Sequence, residues 1–154
     1  MKAVSRHPAA LLGSVIVTCA AVGHSQVDES SLNGAYLAAL NAIIPTGKSE
    51  FVYCVEIDGK DLTKNLLEAL SKSARKVAPV SKCTYVIEGS GSYLNSTHAP
   101  ASFVRLKAFH RTSDTTGEIP YSNYHHGLWG AFGTIKLAFR SGEWVAEVTI
   151  DAIS

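Results

Sequence analysis

The sequence predicts an α+β domain in which two helices pack on one face of a curved, mostly antiparallel sheet of about five strands. Apolar residues recur at helical spacing in two segments, roughly 28–44 and 62–76. Five segments alternate between apolar and polar side chains, as strands do: 51–57, 83–88, 102–110, 121–140 and 143–153. The order helix, strand, helix and then four strands is typical of helices that lie across a sheet.

Both helices have recognisable ends. Asp28 or Ser30 can cap the first helix, and the Pro-Thr-Gly run at 45–47 ends it. We expect Asp61 to cap the second helix, because an aspartate oxygen accepts hydrogen bonds from the free N–H groups of a first turn. Its apolar stripe consists of Leu62, Leu66, Leu67, Leu70 and Ala74.

The clearest element is a hairpin that turns at Ser141 and Gly142, a two-residue loop typical of antiparallel strands. One register pairs polar residues on one face: Arg140 with Glu143, Lys136 with Glu147, and Thr134 with Thr149. The same register gathers apolar residues on the other face: Phe139 with Trp144, Leu137 with Ala146, and Ile135 with Val148. A slip of one residue would exchange the two faces, so this register is expected and Trp144 should be buried.

The first residues predict a secretory signal peptide over 1–23. Lys2 and Arg6 give a positive start, and the apolar stretch at 11–22 is too short to span a membrane. Cys19 is an unfavourable lipid anchor, because a threonine directly precedes it. The mature chain is therefore expected to be secreted or periplasmic.

Residues 24–154 are expected to form a single domain. The chain has 14 Lys and Arg against 13 Asp and Glu, and this balance offers no basic face for nucleic acid. No stretch after the signal peptide is apolar enough to span a membrane. The sequence lacks the motifs of phosphate-binding loops, zinc proteases and serine hydrolases, so no cofactor is expected.

Cys54 and Cys83 are the only cysteines left after removal of the signal peptide. An even pair in an exported chain predicts a disulfide. Two buried free thiols are the alternative. A catalytic cysteine is disfavoured, because no nearby group would lower its pKa.

A candidate site lies on the apolar face of the sheet. If residues 111–120 close a hairpin, His110, Tyr121, His125 and Trp129 share that face. Tyr121, His125 and Trp129 would bind a ligand, and His110 or His125 could act as an acid or base near neutral pH. No metal is expected, because a third ligand is missing. Alternatively, the histidines lie at a sheet edge and bind water or backbone groups.

The same alternation places Phe103, Phe109 and Phe132 on the polar face, beside Arg105 and Lys107. Single exposed aromatic residues are ordinary. Several of them close together would form a patch that binds another protein.

The residues Gly142-Glu143-Trp144 and the long strand that follows resemble the cystatin-like and nuclear-transport-factor-2-like folds. In those families, early helices lie across a bent sheet whose last long strands end in a Gly-x-Trp turn. The resemblance covers residues 100–154 best. It implies an architecture only, because no active-site motif of either family is present.

These observations favour an exported, non-catalytic module that binds a protein or a small ligand. The alternative is a small enzyme that performs acid–base catalysis with His110 or His125. A deep pocket that holds one of these histidines beside a carboxylate would favour the enzyme. A sheet face that is covered by packed side chains and has no pocket would favour the binding module.

Overall fold

The structure is a computed structural model that describes residues 28–87, 91–126 and 129–153. The expected signal peptide at 1–23, with Cys19, lies outside the described residues. The helices are α1 (Glu29–Ile43) and α2 (Lys64–Lys72). The strands are β1 (Val52–Ile57), β2 (Lys60–Asp61), β3 (Val77–Pro79), β4 (Cys83–Thr84), β5 (Tyr93–Leu94), β6 (Ala101–Leu106), β7 (His110–Arg111), β8 (Thr116–His126), β9 (Trp129–Arg140) and β10 (Glu143–Ile153).

The described chain is α+β, with a mixed, mostly antiparallel main sheet. Strands β10, β9, β8, β6 and β1 lie side by side in that order, and β2 and β3 both pair with the outer edge of β1. Strand β7 pairs with β8, while β4 and β5 form a separate small sheet. The pairs of β1 with β3 and with β6 are parallel.

The expected count of about five strands is wrong, because the described residues of the main sheet already form eight. Strands β2, β3 and β7 are only two or three residues long. An alternating pattern cannot be recognised over so few residues. The single segment expected at 121–140 is also divided, into β8 and β9.

The helices and one face of the sheet enclose the main core. Alternate residues of each strand point to this face, so one set of apolar side chains meets the helices. The fully buried members are Ala35, Ala39, Leu40 and Ile44 from the α1 region, Leu70 from α2, and Val55, Val104, Ile119 and Ile135 from the sheet. We call this the apolar face, and the opposite side of the sheet the polar face.

The predicted C-terminal hairpin is confirmed in every pair. Glu143 lies opposite Arg140, and the same register continues without interruption to the pair of Ile150 with Gly133. Trp144 is buried opposite Phe139, as expected. Both turn residues, Ser141 and Gly142, have positive φ, which is the conformation of a turn that matches the twist of two paired strands.

The capping prediction is confirmed for α1 and wrong for α2. The Asp28 carboxylate accepts a hydrogen bond from the N–H of Ser30. Helix α2 is instead capped by Thr63, which accepts a hydrogen bond from the N–H of Leu66. Asp61 lies in β2, because the chain first forms a short hairpin with β1 and only then enters the helix.

Asp61 has a different structural role. Its two carboxylate oxygens accept hydrogen bonds from the Ser81 hydroxyl at 2.6 Å and from the Ser81 N–H at 2.9 Å. Both bonds favour the charged carboxylate, so they lower the pKa of Asp61 below its ordinary value. They join the β1–β2 hairpin to the turn that follows β3.

We expect Asp61→Asn to lower the free energy of unfolding at neutral pH by less than about 1 kcal/mol, because the carboxylate is exposed. The lowered pKa means that the stabilisation is complete above the unfolded-state pKa and is lost as pH falls through the folded-state value. Urea unfolding of both proteins at about pH 7 and about pH 3 measures the difference. A difference that is the same at both pH values would contradict this assignment.

Candidate functional site

The predicted histidine pocket rests on a wrong register between β6 and β8. The structure pairs Leu106 with Tyr121 and His110 with Glu118, whereas a hairpin over 111–120 requires His110 near Tyr121. Glu118 lies on the polar face in the same row as Lys136 of β9. His110 is therefore on the polar face, while Tyr121 is buried in the core on the apolar face.

The register differs because the chain leaves the sheet between β6 and β7. Over residues 107–109 it forms no ladder, and the N–H of Phe109 donates a hydrogen bond to the Tyr36 hydroxyl at 3.0 Å. The Phe109 ring lies over Gly117, where any β-carbon would overlap it. This detour moves the hairpin tip to residues 112–115, a shift that simple alternation does not reveal.

His110 has a carboxylate neighbour and lies exposed on the polar face. Its Nδ1 atom lies 3.7 Å from Oε1 of Glu118, and both side chains are exposed. The other members of the predicted site, His125 and Trp129, have side chains outside the described part of the chain. Within the described residues, no group of three or more His, Cys, Asp or Glu side chains is arranged to hold a metal ion.

Tyr121 is the one predicted ligand-binding residue whose side chain the structure describes. It packs in the main core, opposite Leu106 on one neighbouring strand and Gly133 on the other. Burial raises the pKa of its phenol, and the Asp151 carboxylate raises it further. Tyr121 therefore remains neutral at physiological pH and contributes to packing.

The predicted aromatic patch on the polar face is also rearranged. Phe103 is almost fully buried and packs beneath Tyr85, and Phe109 lies on the opposite side of the sheet against Trp144. Phe132 alone of the three is largely exposed. The expectation that all three lie on the polar face is wrong for Phe109, and a chain segment that alternation could not reveal covers Phe103, so the three form no common exposed patch.

The disulfide attaches that covering segment. Cys54 of β1 is bonded to Cys83, as the sequence predicted. Tyr85 follows two residues later, and its ring centroid lies 5.1 Å from that of Phe103 and 4.7 Å from that of Tyr124. The bridge therefore holds an aromatic cover over β6 and β8.

Arg105 lies at the margin of this cover. Its guanidinium carbon is 4.9 Å from the centre of the Tyr85 ring, a cation–π distance. Its Nε atom is 3.5 Å from Oε1 of Glu56 on the neighbouring strand. Both partners belong to this chain, so Arg105 is engaged within the fold.

A groove of about 480 Å³ lies between α1 and the turn of the C-terminal hairpin. We call it the α1 groove. It is lined by Asp28, Ser30, Ser31, Gly34, Leu37, Ala38, Asn41, Phe139, Gly142, Glu143 and Trp144. Local sequence patterns do not predict this site, because the lining residues belong to two segments about a hundred positions apart.

Trp144 forms the floor of the α1 groove. Its indole Nε1 donates a hydrogen bond to the Ser31 hydroxyl at 3.3 Å, and its ring contacts the rings of Phe109 and Phe139. A β-carbon at Gly34 would lie 3.4 Å from the indole. A glycine in the middle of a helix is unfavourable for the helix itself, so Gly34 is the one sequence feature that indicates close packing here.

The α1 groove combines aromatic rings with negative charge. Among the described lining residues, Asp28 and Glu143 are the only charged ones, and none is a lysine or arginine. Arg140 lies opposite Glu143 in the hairpin but does not line the groove. An aromatic wall beside carboxylates is suited to a cationic group, which is attracted to both.

A second groove, of about 370 Å³, lies on the polar face over β8, β9 and β10. Its charged lining residues are Glu118, Lys136, Arg140 and Glu147. These two positive and two negative groups lie close together, so they offer no net charge to a ligand. The α1 groove is therefore the better defined candidate site.

Comparisons with protein families, with curated proteins and with solved structures found no match to this chain. The likeness to cystatin-like and nuclear-transport-factor-2-like folds therefore stays a prediction. Neither described helix is long and apolar enough to cross a membrane.

Proposed function

We propose that this protein is an exported, non-catalytic binding module whose α1 groove takes a ligand that carries an ammonium or guanidinium group. The observation that carries the proposal is the pairing of Trp144 and Phe139 with the carboxylates of Asp28 and Glu143 in one groove. The disulfide between Cys54 and Cys83 is compatible with an oxidising compartment, which supports export.

The expected affinity is modest. A cation over an aromatic ring contributes about 0.5–2 kcal/mol, depending on how far it is removed from water. An exposed ion pair with Glu143 adds at most about 1 kcal/mol. Apolar contact with Leu37 and Ala38 would supply the rest, so a small ligand should bind with a Kd on the order of 0.1–1 mM.

The described residues of the α1 groove offer hydroxyl, amide and carboxylate groups but no histidine or cysteine. This composition suits binding better than proton transfer near neutral pH. The enzyme alternative depends on His110, which lies exposed on the other side of the sheet, and on His125. The described contact of His110 with the carboxylate of Glu118 is exposed and lies outside the α1 groove.

The proposal is tested by following the fluorescence of Trp144 in a Trp129→Phe background, since the chain has only two tryptophans. The probes are blocked tripeptides with a central lysine or arginine, and an otherwise identical peptide with glutamine. We expect the cationic peptides to change the emission and the glutamine peptide to have little effect. Glu143→Gln should weaken cationic binding by about two- to fivefold, the loss of one exposed ion pair.

The matched control is Glu118→Gln, which removes the same charge on the polar face, outside the α1 groove. It should leave the Kd unchanged. Equal binding of the glutamine peptide would contradict a site for cations. An equal effect of the two substitutions would mean that net charge rather than the groove attracts the peptide.

A further inference from the structure

The outer edge of β10 (Glu143–Ile153) is open in the described structure. Within the described residues, β10 pairs with β9 on one side and with no strand on the other. The free side presents backbone N–H and C=O groups along a strand of 11 residues. A long open edge of this kind is a template for another strand.

Exposed apolar side chains are concentrated beside this edge. The described residues include seven large apolar side chains that are exposed, and three of them, Val145, Ile150 and Ile153, belong to β10. Two more, Phe132 and Phe139, belong to the neighbouring strand β9. An edge with this composition favours association rather than contact with water.

Symmetry limits how two copies of β10 could pair. A twofold axis perpendicular to the sheet makes the strands antiparallel and keeps the helices of both copies on one side. Each residue must then lie opposite a residue of the same face, because facing side chains in a ladder point to the same side. The register can therefore move only in steps of two positions.

The register with the greatest overlap is centred on Val148, the midpoint of β10. Within the regular part of the strand it places Glu147 opposite Thr149 and Ala146 opposite Ile150, so no two carboxylates face each other. One step in either direction places Glu147 opposite Glu147 or opposite Asp151. Like charges directly opposite each other destabilise a strand pair, so charge and overlap select the same register.

The acidic residues of β10 do not require a basic partner. Glu143 and Glu147 already lie opposite Arg140 and Lys136 of β9 within the chain. The shift in register between β9 and β10 falls after Ile150, so the central residues 146–150 form a regular strand. These features favour a second copy over a strongly basic strand from another protein.

We propose that the protein forms a homodimer in which two β10 strands pair antiparallel about Val148 and join the two main sheets into one. Val148 meets its symmetry mate on the apolar face, and Ala146 lies opposite Ile150 of the partner subunit. On the polar face, Glu147 lies opposite Thr149 of the partner subunit. The dimer does not depend on a ligand in the α1 groove.

Thr149 gives a matched pair of test variants, because it is exposed and faces Thr134 within its own chain. Sedimentation equilibrium should show a dimer for the wild type. Thr149→Glu places the new carboxylate opposite Glu147 of the partner subunit, and symmetry repeats this contact once more in the dimer. The substitution should therefore raise the dissociation constant of the dimer by about tenfold. Thr149→Lys places an ammonium group opposite Glu147 and should lower the dissociation constant by a similar factor.

Val148→Cys provides an independent test, since the register about Val148 brings the two new thiols together across the axis. Mild oxidation should join the subunits of this variant and not those of Ala146→Cys. A wild type that stays monomeric at about 0.5 mM would overturn the proposal, because even a weak dimer is populated there. A dimer whose dissociation constant is the same in both Thr149 variants, or that is cross-linked through position 146 instead, would overturn it as well.

Discussion

Removal of the disulfide is expected to lower the free energy of unfolding by about 3–4 kcal/mol, the usual contribution of a bridge that closes a loop of about 30 residues. Cys54 is completely buried beside Ala101 and Phe103, and Cys83 packs against the same cluster. The bridge restricts the unfolded chain and keeps the Tyr85 cover on the sheet. Both effects are lost in the double variant Cys54→Ala/Cys83→Ala.

Urea unfolding of the double variant and of the oxidised wild type measures this loss. The reduced wild type is the control, because it breaks the bond and keeps both cysteine side chains. The free energies of unfolding of the reduced protein and of the double variant should agree within about 1 kcal/mol, the cost of removing two small sulfur atoms from the cluster. A loss below about 1 kcal/mol for either protein would contradict a stabilising bridge.

Trp144→Ala is expected to lower the free energy of unfolding by about 3–5 kcal/mol, as for other truncations of a buried aromatic residue. The indole is only 9% exposed and contacts two phenylalanine rings. The substitution also removes the donor to Ser31 and leaves a space beneath Gly34.

Glu147→Ala, on the same strand, is the comparison. Glu147 is exposed on the polar face opposite Lys136, so its removal should cost less than about 1 kcal/mol. Thermal or urea unfolding of the two variants at low protein concentration gives both values. A larger loss for Glu147→Ala than for Trp144→Ala would mean that the apolar face of the hairpin is not the buried one.

Local chemistry was sufficient to predict the C-terminal hairpin and the disulfide. In the hairpin, the turn residues, the charge pairs and the apolar pairs all favour a single register, so each observation supports the others. The disulfide was predictable from the number of cysteines, since only two remain after the expected signal peptide. Helix α1 was also predictable, because its cap at Asp28 and its apolar spacing agree.

Features that depend on distant parts of the chain were not predictable from local patterns. The short strands β2, β3 and β7 exist because longer neighbours supply their hydrogen-bond partners. The shift between β6 and β8 depends on Phe109 leaving the strand to reach Tyr36 and Trp144. Alternation along one strand contains no information about such a contact.

The candidate site was harder to predict than the fold. The α1 groove lies between α1 and the final hairpin, and Gly34 is the one sequence feature that indicates this contact. The burial of Phe103 could be predicted only by knowing that the segment after Cys83 folds back over the polar face. Both results depend on how separate elements pack, which residue spacing alone does not specify.

The parallel pairing of β1 with β6 has a consequence for the order in which the protein folds. Strands β8, β9 and β10 follow one another closely and meet through local hairpins, which form quickly. Phe103 of β6 comes about fifty residues after its partner Cys54 in β1, so a long loop must close before the sheet is complete. Once Cys54 is bonded to Cys83, the open chain between the bridge and β6 is only about twenty residues. Oxidation should therefore speed the insertion of β1, and refolding of the reduced protein should be limited by that step.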